Sequence, residues 1–175
     1  MTRSGPGRSP AVGERAADFS ATSLAGQPLN FPADYRGKLV LLDFLATWCA
    51  PCKAELPHVA AAYEQFHDRG FEVIGITLDG AQGISADRVR EFCRVQKLTW
   101  PQVYAAGTTL PQTFGVTGIP AAFLIDGQTG TILATDTDLR GEKLRATVER
   151  YLPEGAKSGG QSADPPPSQG GVGGG

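Results

Sequence analysis

Apolar and polar positions along this chain follow two rhythms. The stretches 17–22 and 27–31 are short and mixed, and they flank Leu24-Ala25-Gly26, which reads as a hairpin-like opening. The stretch 38–45 is apolar almost throughout, as expected of a strand covered on both faces. Residues 50–69 switch to helical spacing. Leu56, Val59, Tyr63 and Phe66 form the stripe, Pro57 removes one intrahelical bond and predicts a kink, and Gly70 is placed to end the helix. A second buried strand is expected over 71–78. A helix follows over 85–97, with Ser85 as its cap and Val89, Phe92 and Cys93 facing inward. Residues 102–104 form a short strand, 121–126 and 131–134 pair as a hairpin across 127–130, and 141–152 is a closing helix. Strands alternating with helices, then a terminal hairpin, predict an α/β fold: a mixed central sheet flanked by helices, with an N-terminal β-hairpin extension.

Composition bounds this picture. The chain has 175 residues, enough for one domain with a proper core. Residues 1–12 are polar and rich in Pro and Gly, and 155–175 form a Gly/Pro/Ser-rich tail; both are expected to be disordered, leaving 13–154 as the domain. Net charge is −2 without a basic cluster, which argues against nucleic acid and anionic membranes as partners. No apolar run is long enough for a transmembrane segment, and the first residues do not read as a signal peptide. Three cysteines, an odd number, are not a disulfide framework.

The chemistry concentrates in Trp48-Cys49-Ala50-Pro51-Cys52-Lys53, between the apolar strand and the helix. This places Cys49 at or near a helix N-terminus, where free N–H groups and the macrodipole favour a thiolate. Cys52, one turn on, can close a disulfide with it. Cys49 is expected to attack and Cys52 to resolve. Pro51 fixes the turn between them. Trp48 either covers the dithiol and meets substrate or packs at the strand end. Glu55 shares a helix face with Cys52, where an ionised carboxylate would raise the thiol pKa. Asp43 interrupts the apolar strand, and burial should raise its pKa. His58, His67 and Cys93 read as ordinary packing or surface residues, and no metal site or cofactor is expected. Zinc would need about four ligands, and no second paired motif supplies them.

These residues resemble the thioredoxin fold, and within it the TlpA/ResA-like thiol–disulfide oxidoreductases of cytochrome c maturation and related reductive pathways. The likeness covers about residues 13–152. It rests on Val12-Gly13-Glu14-Arg15-Ala16-Ala17-Asp18-Phe19, on the W-C-x-P-C-K-x-E-x-P block from Trp48 to Pro57, and on Val116-Thr117-Gly118-Ile119-Pro120 before the strand 121–126. The resemblance implies a redox-active Cys49–Cys52 disulfide, and a cis Pro120 beside it that frees the Ile119 backbone to pair with substrate. It also implies a functional Glu55 and an Asp43 that helps deprotonate the resolving thiol. Protein disulfides would be the substrates, reduced in this reading, with an upstream thiol partner restoring the dithiol. The family implies a periplasmic or other extracytoplasmic site; with no leader or anchor legible here, a cytoplasmic one stays open. Asp43 stands where the family often has Asn, and Ala121 where it often has Thr. Two alternatives remain. A peroxiredoxin-like peroxidase needs P-x-x-x-T-x-x-C, but counting back from Cys49 gives Ala46 and Leu42, and from Cys52 gives Cys49 and Leu45. A copper-binding thioredoxin-like module favours a late histidine, and none follows His67.

Overall fold

A computed structural model describes residues 7–152. Among them, five strands form one sheet in the order β5-β4-β3-β6-β7, comprising β3 (Leu39–Leu45), β4 (Phe71–Thr77), β5 (Gln102–Tyr104), β6 (Ala121–Asp126) and β7 (Ile132–Thr135). β3 runs parallel to β4, and β4 to β5; β6 is antiparallel to both β3 and β7. The sheet is therefore mixed. A separate antiparallel hairpin, β1 (Phe19–Thr22) with β2 (Pro28–Phe31), forms the N-terminal extension. The helices are α1 (Ala50–Phe66), α2 (Ala86–Val95), α3 (Leu110–Thr113) and α4 (Lys143–Tyr151). No helix among the described residues is long and apolar enough to cross a membrane.

β3 is buried along its whole length because both of its faces carry a core. Side chains alternate across a strand. Leu39, Leu41 and Leu45 meet Leu56, Val59 and Phe66 of α1 and Leu144 and Val148 of α4. Val40, Leu42 and Phe44 face the other way, toward Phe31 of the hairpin, Phe114 and Phe123. Phe44, Phe114 and Phe123 form a three-ring cluster with centroids 5.5–6.0 Å apart. By this alternation Asp43 belongs to the α1 side.

Local chemistry sets the element ends. Ser85 Oγ accepts from the Arg88 N–H and starts α2. α1 runs through Pro57 to Phe66, one 3₁₀ turn follows, and Gly70 closes it at φ 99°. Ala62 takes a fully buried place on the α1 stripe while Tyr63 is only half-buried against Trp100. Strand β7 begins at residue 132, one later than the hydropathy pattern suggests, because Thr131 instead bridges Arg15. Residues 7–12 fall in the stretch expected to be disordered, yet Ser9 Oγ donates to the Gly115 carbonyl at 2.9 Å and Pro10 is buried. These anchors are long-range and invisible to local composition. The tail expected over 155–175 lies outside the described residues.

Gly127 shows how tightly the β6–β7 turn sits on the body. Its N–H donates to the Lys38 carbonyl at 2.8 Å, and an added Cβ would run into the Tyr35 carbonyl oxygen and lie 2.8 Å from the Lys38 oxygen. Gly127→Ala is expected to cost about 1–3 kcal/mol in urea denaturation, as overpacking does. Gly118→Ala, with nothing within 4 Å of its added Cβ, is the control that should stay within about 0.5 kcal/mol.

Candidate active site

β3 ends at Leu45, and four residues carry the chain to α1. Cys49 is the N-cap, in an extended conformation (φ −89°, ψ 106°), and its Sγ accepts the Cys52 N–H at 3.2 Å. Cys49 and Cys52 form a disulfide with Cα atoms 5.2 Å apart. The structure buries both nearly equally, at 4% and 2% exposure, so position along the helix separates them and accessibility does not. Pro51 is exposed within the first turn, where a missing N–H costs nothing. Trp48, next to the disulfide, is 49% exposed.

The turn is held from below by a residue the sequence reading missed. Asp79 is fully buried just beyond β4. Its carboxylate accepts the Thr47 N–H at 3.0 and 3.2 Å and the Thr47 hydroxyl at 2.5 Å. An acid ending an apolar strand gives no hint of a partner thirty-two residues earlier.

Ile119-Pro120 is a cis peptide just ahead of β6, with both residues half-buried. The Pro120 carbonyl accepts from Arg140 Nη2 at 2.6 Å. Arg140 also pairs with Asp136 at 3.8 Å, and Asp136 in turn accepts the Ala122 N–H at 3.1 Å. Glu55, expected to face the thiols, spends one oxygen elsewhere: Oε2 accepts the Gly141 N–H at 2.8 Å and ties α1 to the approach of α4. Asp43 lies level with Ala122 on one side and Gly75 on the other. Burial pushes its carboxyl up to about 7; Arg140 lowers it and Glu55 raises it, so the three charges sense one another. Arg140 and Asp136 went unnoticed in the sequence because a lone Arg in a polar loop has no pattern.

Cys93 is half-buried on α2, not fully buried as its inward spacing suggested. Burial first, and then the Asp79 charge, push its thiol up to about 11. At neutral pH it is a protonated bystander. His67 stacks on Tyr63 at 4.5 Å and lies 3.5 Å from Glu72, a packing role.

With this geometry in view, comparison with known proteins is decisive. A model of the AhpC/TSA family matches residues 12–134. The thiol–disulfide oxidoreductase ResA of Bacillus thuringiensis subsp. konkukian is 30% identical over 141 residues, covering 81% of this chain and 76% of the relative. ResA of Geobacillus kaustophilus is 33% identical over 142 residues with the same coverage. The chain belongs to the AhpC/TSA family and is a ResA-like thiol–disulfide oxidoreductase. Its fold is the thioredoxin fold. The thioredoxin domain of a thiol–disulfide oxidoreductase from Bacteroides vulgatus superposes with a TM-score of 0.72 at 28% identity, covering 83% of this chain and all of that domain. A thiol:disulfide interchange protein from Chlorobium tepidum gives 0.70 at 27% identity, with the same coverage.

Two predictions come from the buried acids. Asp43 has an unfolded pKa near 3.9 and a folded one of about 7. Between those values the folded chain holds a proton that the unfolded chain has lost, so stability falls as pH rises from about 4 to about 7, by at most about 4 kcal/mol. Asp43→Asn removes that dependence. In urea denaturation of the oxidised protein, its stability relative to wild type should climb across this window and level off above it; a difference independent of pH would contradict the burial argument. Asp79→Ala leaves the Thr47 N–H and hydroxyl without their acceptor, and should cost about 2–4 kcal/mol in the same measurement.

Proposed function

We propose that this oxidoreductase works as a reductant of protein disulfides. The observation that carries the reading is the pairing of a disulfide at a helix N-terminus with a buried acid, Asp43, on the sheet face beneath that helix. The helix end favours the Cys49 thiolate. Carboxylates near the dithiol oppose ionisation of both sulfurs, which destabilises the reduced form and lowers the reduction potential.

The cycle begins with the dithiol. The Cys49 thiolate attacks one sulfur of a substrate disulfide, forming a Cys49–substrate bond and expelling the other substrate sulfur as a thiolate, which takes a proton from solvent. Ionised Asp43 accepts the Cys52 proton. The Cys52 thiolate then attacks Cys49 Sγ, the Cys49–Cys52 bond forms, and the second substrate sulfur leaves as a thiolate that takes a proton from solvent, while Asp43 returns its proton to solvent. Two electrons have passed to the substrate. Trp48 and the half-buried Ile119-Pro120 segment supply the docking edge, and the Ile119 backbone pairs with an extended substrate segment. Pro51 keeps the turn fixed, and Glu55 adds negative charge near Asp43. A second thiol partner restores the dithiol. The resemblance to ResA supports a place in a reductive pathway such as cytochrome c maturation. No observation favours the peroxidase or copper readings over this one.

The test of direction is the Cys49/Cys52 reduction potential, measured against a defined thiol–disulfide couple. It should lie nearer thioredoxin's value of about −270 mV than the about −120 mV of a strong disulfide oxidant. A value at the oxidising end would overturn the reductant assignment. Roles within the pair are read separately on non-reducing gels with a disulfide substrate. Cys52→Ala should accumulate the mixed disulfide and Cys49→Ala should not; equal trapping would reverse or abolish the assignment.

A further inference from the structure

Four residues lie in one row across the sheet. Register pairs Gln102 of β5 with Gly75 of β4, Gly75 with Asp43 of β3, and Asp43 with Ala122 of β6. Residues opposite one another in a sheet point to the same face. Here that face lies beneath α1: Leu41, Leu45 and Val73, two positions along their strands, pack with Leu56 and Val59, and Trp100 joins the same core.

Glycine inside a central strand weakens it and marks a close approach. At Gly75 the approach is by Gln102. An added Cβ would lie 2.7 Å from Gln102 Nε2 and nearer still to Oε1. The Gln102 amide therefore lies over Gly75 and points across the sheet toward β3. Gln102 is only 5% exposed, and among the described residues neither its Oε1 nor its Nε2 has a hydrogen-bond partner. An amide buried without partners costs about 1–3 kcal/mol per group, whereas an apolar side chain of the same shape would cost nothing of the kind. A bare packing role does not account for glutamine here.

By register, the next residue of the row beyond Gly75 is Asp43, on the same sheet face. Adjacent strands are about 4.8 Å apart, so an amide seated over Gly75 is about one strand spacing from the Asp43 side chain. That is too long for a direct hydrogen bond of about 2.9 Å, and it suits two bonds through one water. We propose that Gln102 is a positioning residue for Asp43, its amide holding one buried water that donates a hydrogen bond to the Asp43 carboxylate. The water accepts from Nε2 and favours the ionised acid. Gln102 then works with Arg140, near the start of α4, against burial and against Glu55 of α1. The other neighbours in the row, Gly75 and Ala122, bring no charge, and Cys52 on α1 is the proton donor it would serve.

The kinetic consequence rests on the Asp43 role proposed above; the contact itself does not, and the two are read apart. In the full reduced chain with labelled aspartate carboxyls, the Asp43 titration midpoint is followed by carbon-13 NMR. Gln102→Met keeps the volume and removes the amide. It should raise the midpoint by about one pH unit, and the resolution of a Cys49 mixed disulfide should slow about fivefold at pH 7. Gly75→Ala pushes the amide aside and should move the midpoint the same way. An Asp43 midpoint unchanged in both variants overturns the proposal. A midpoint that rises while resolution keeps its rate supports the contact, and overturns Asp43 as the acceptor of the Cys52 proton instead. Should both variants fail to fold, the unmodified chain still decides. The Gln102 side-chain amide resonances should titrate together with Asp43, and resonances flat from about pH 5 to 9 overturn the proposal.

Discussion

The carboxylate of Asp79 takes both the N–H and the hydroxyl of Thr47, and the placement of the disulfide depends on that set of bonds. A strand that runs straight into a helix must turn within a few residues, and its backbone groups need partners away from water. Asp79 supplies them from the end of the neighbouring parallel strand. Two elements far apart in the chain are thereby locked at the point where Trp48 and Cys49 emerge, and the first turn of α1 starts in register with the sheet beneath it. Because β3 is packed on both faces, the turn has no freedom to slide along the strand axis.

Above that anchor two electrostatic tendencies oppose each other. The N-terminus of α1 stabilises negative charge on Cys49, whose sulfur already accepts the Cys52 N–H. Below it, Asp43 sits where ionisation is costly, and its carboxyl is raised to about 7 by burial. A group held near neutrality can both take and return a proton at ordinary pH. Asp43 also feels the charges of Arg140 and Glu55, which pull its carboxyl in opposite directions.

A second group of contacts assembles the opposite lip of the site. Arg140 holds the Pro120 carbonyl, Asp136 caps Ala122, and Glu55 caps Gly141. These bonds join the cis-proline segment, the turn after β7 and the approach to α4 into one body with α1. Glu55 illustrates how one side chain serves two ends. One oxygen fixes a loop, while its charge still reaches Asp43.

Much of this protein was legible in its sequence because the signals are local. The apolar run of β3, the helical stripe of α1, Gly70 at its end, Ser85 at the start of α2 and the dithiol at a helix N-terminus all follow from spacing and backbone chemistry within a few residues. Asp43 was conspicuous as an acid in an apolar strand. Tertiary structure alone decided the rest. Strand order and register brought Asp79 to Thr47, Arg140 to Pro120, and Gln102 across Gly75 toward Asp43. It also decided that Glu55 ties down Gly141, that Cys49 is as buried as Cys52, and that Ser9 reaches Gly115. The physical reason is the range of the interaction. Hydrophobic period and helix capping are set by neighbours along the chain, while the partner of a polar side chain is chosen by which strands lie side by side, and nothing in the residues adjacent to Asp79 or Gln102 encodes that.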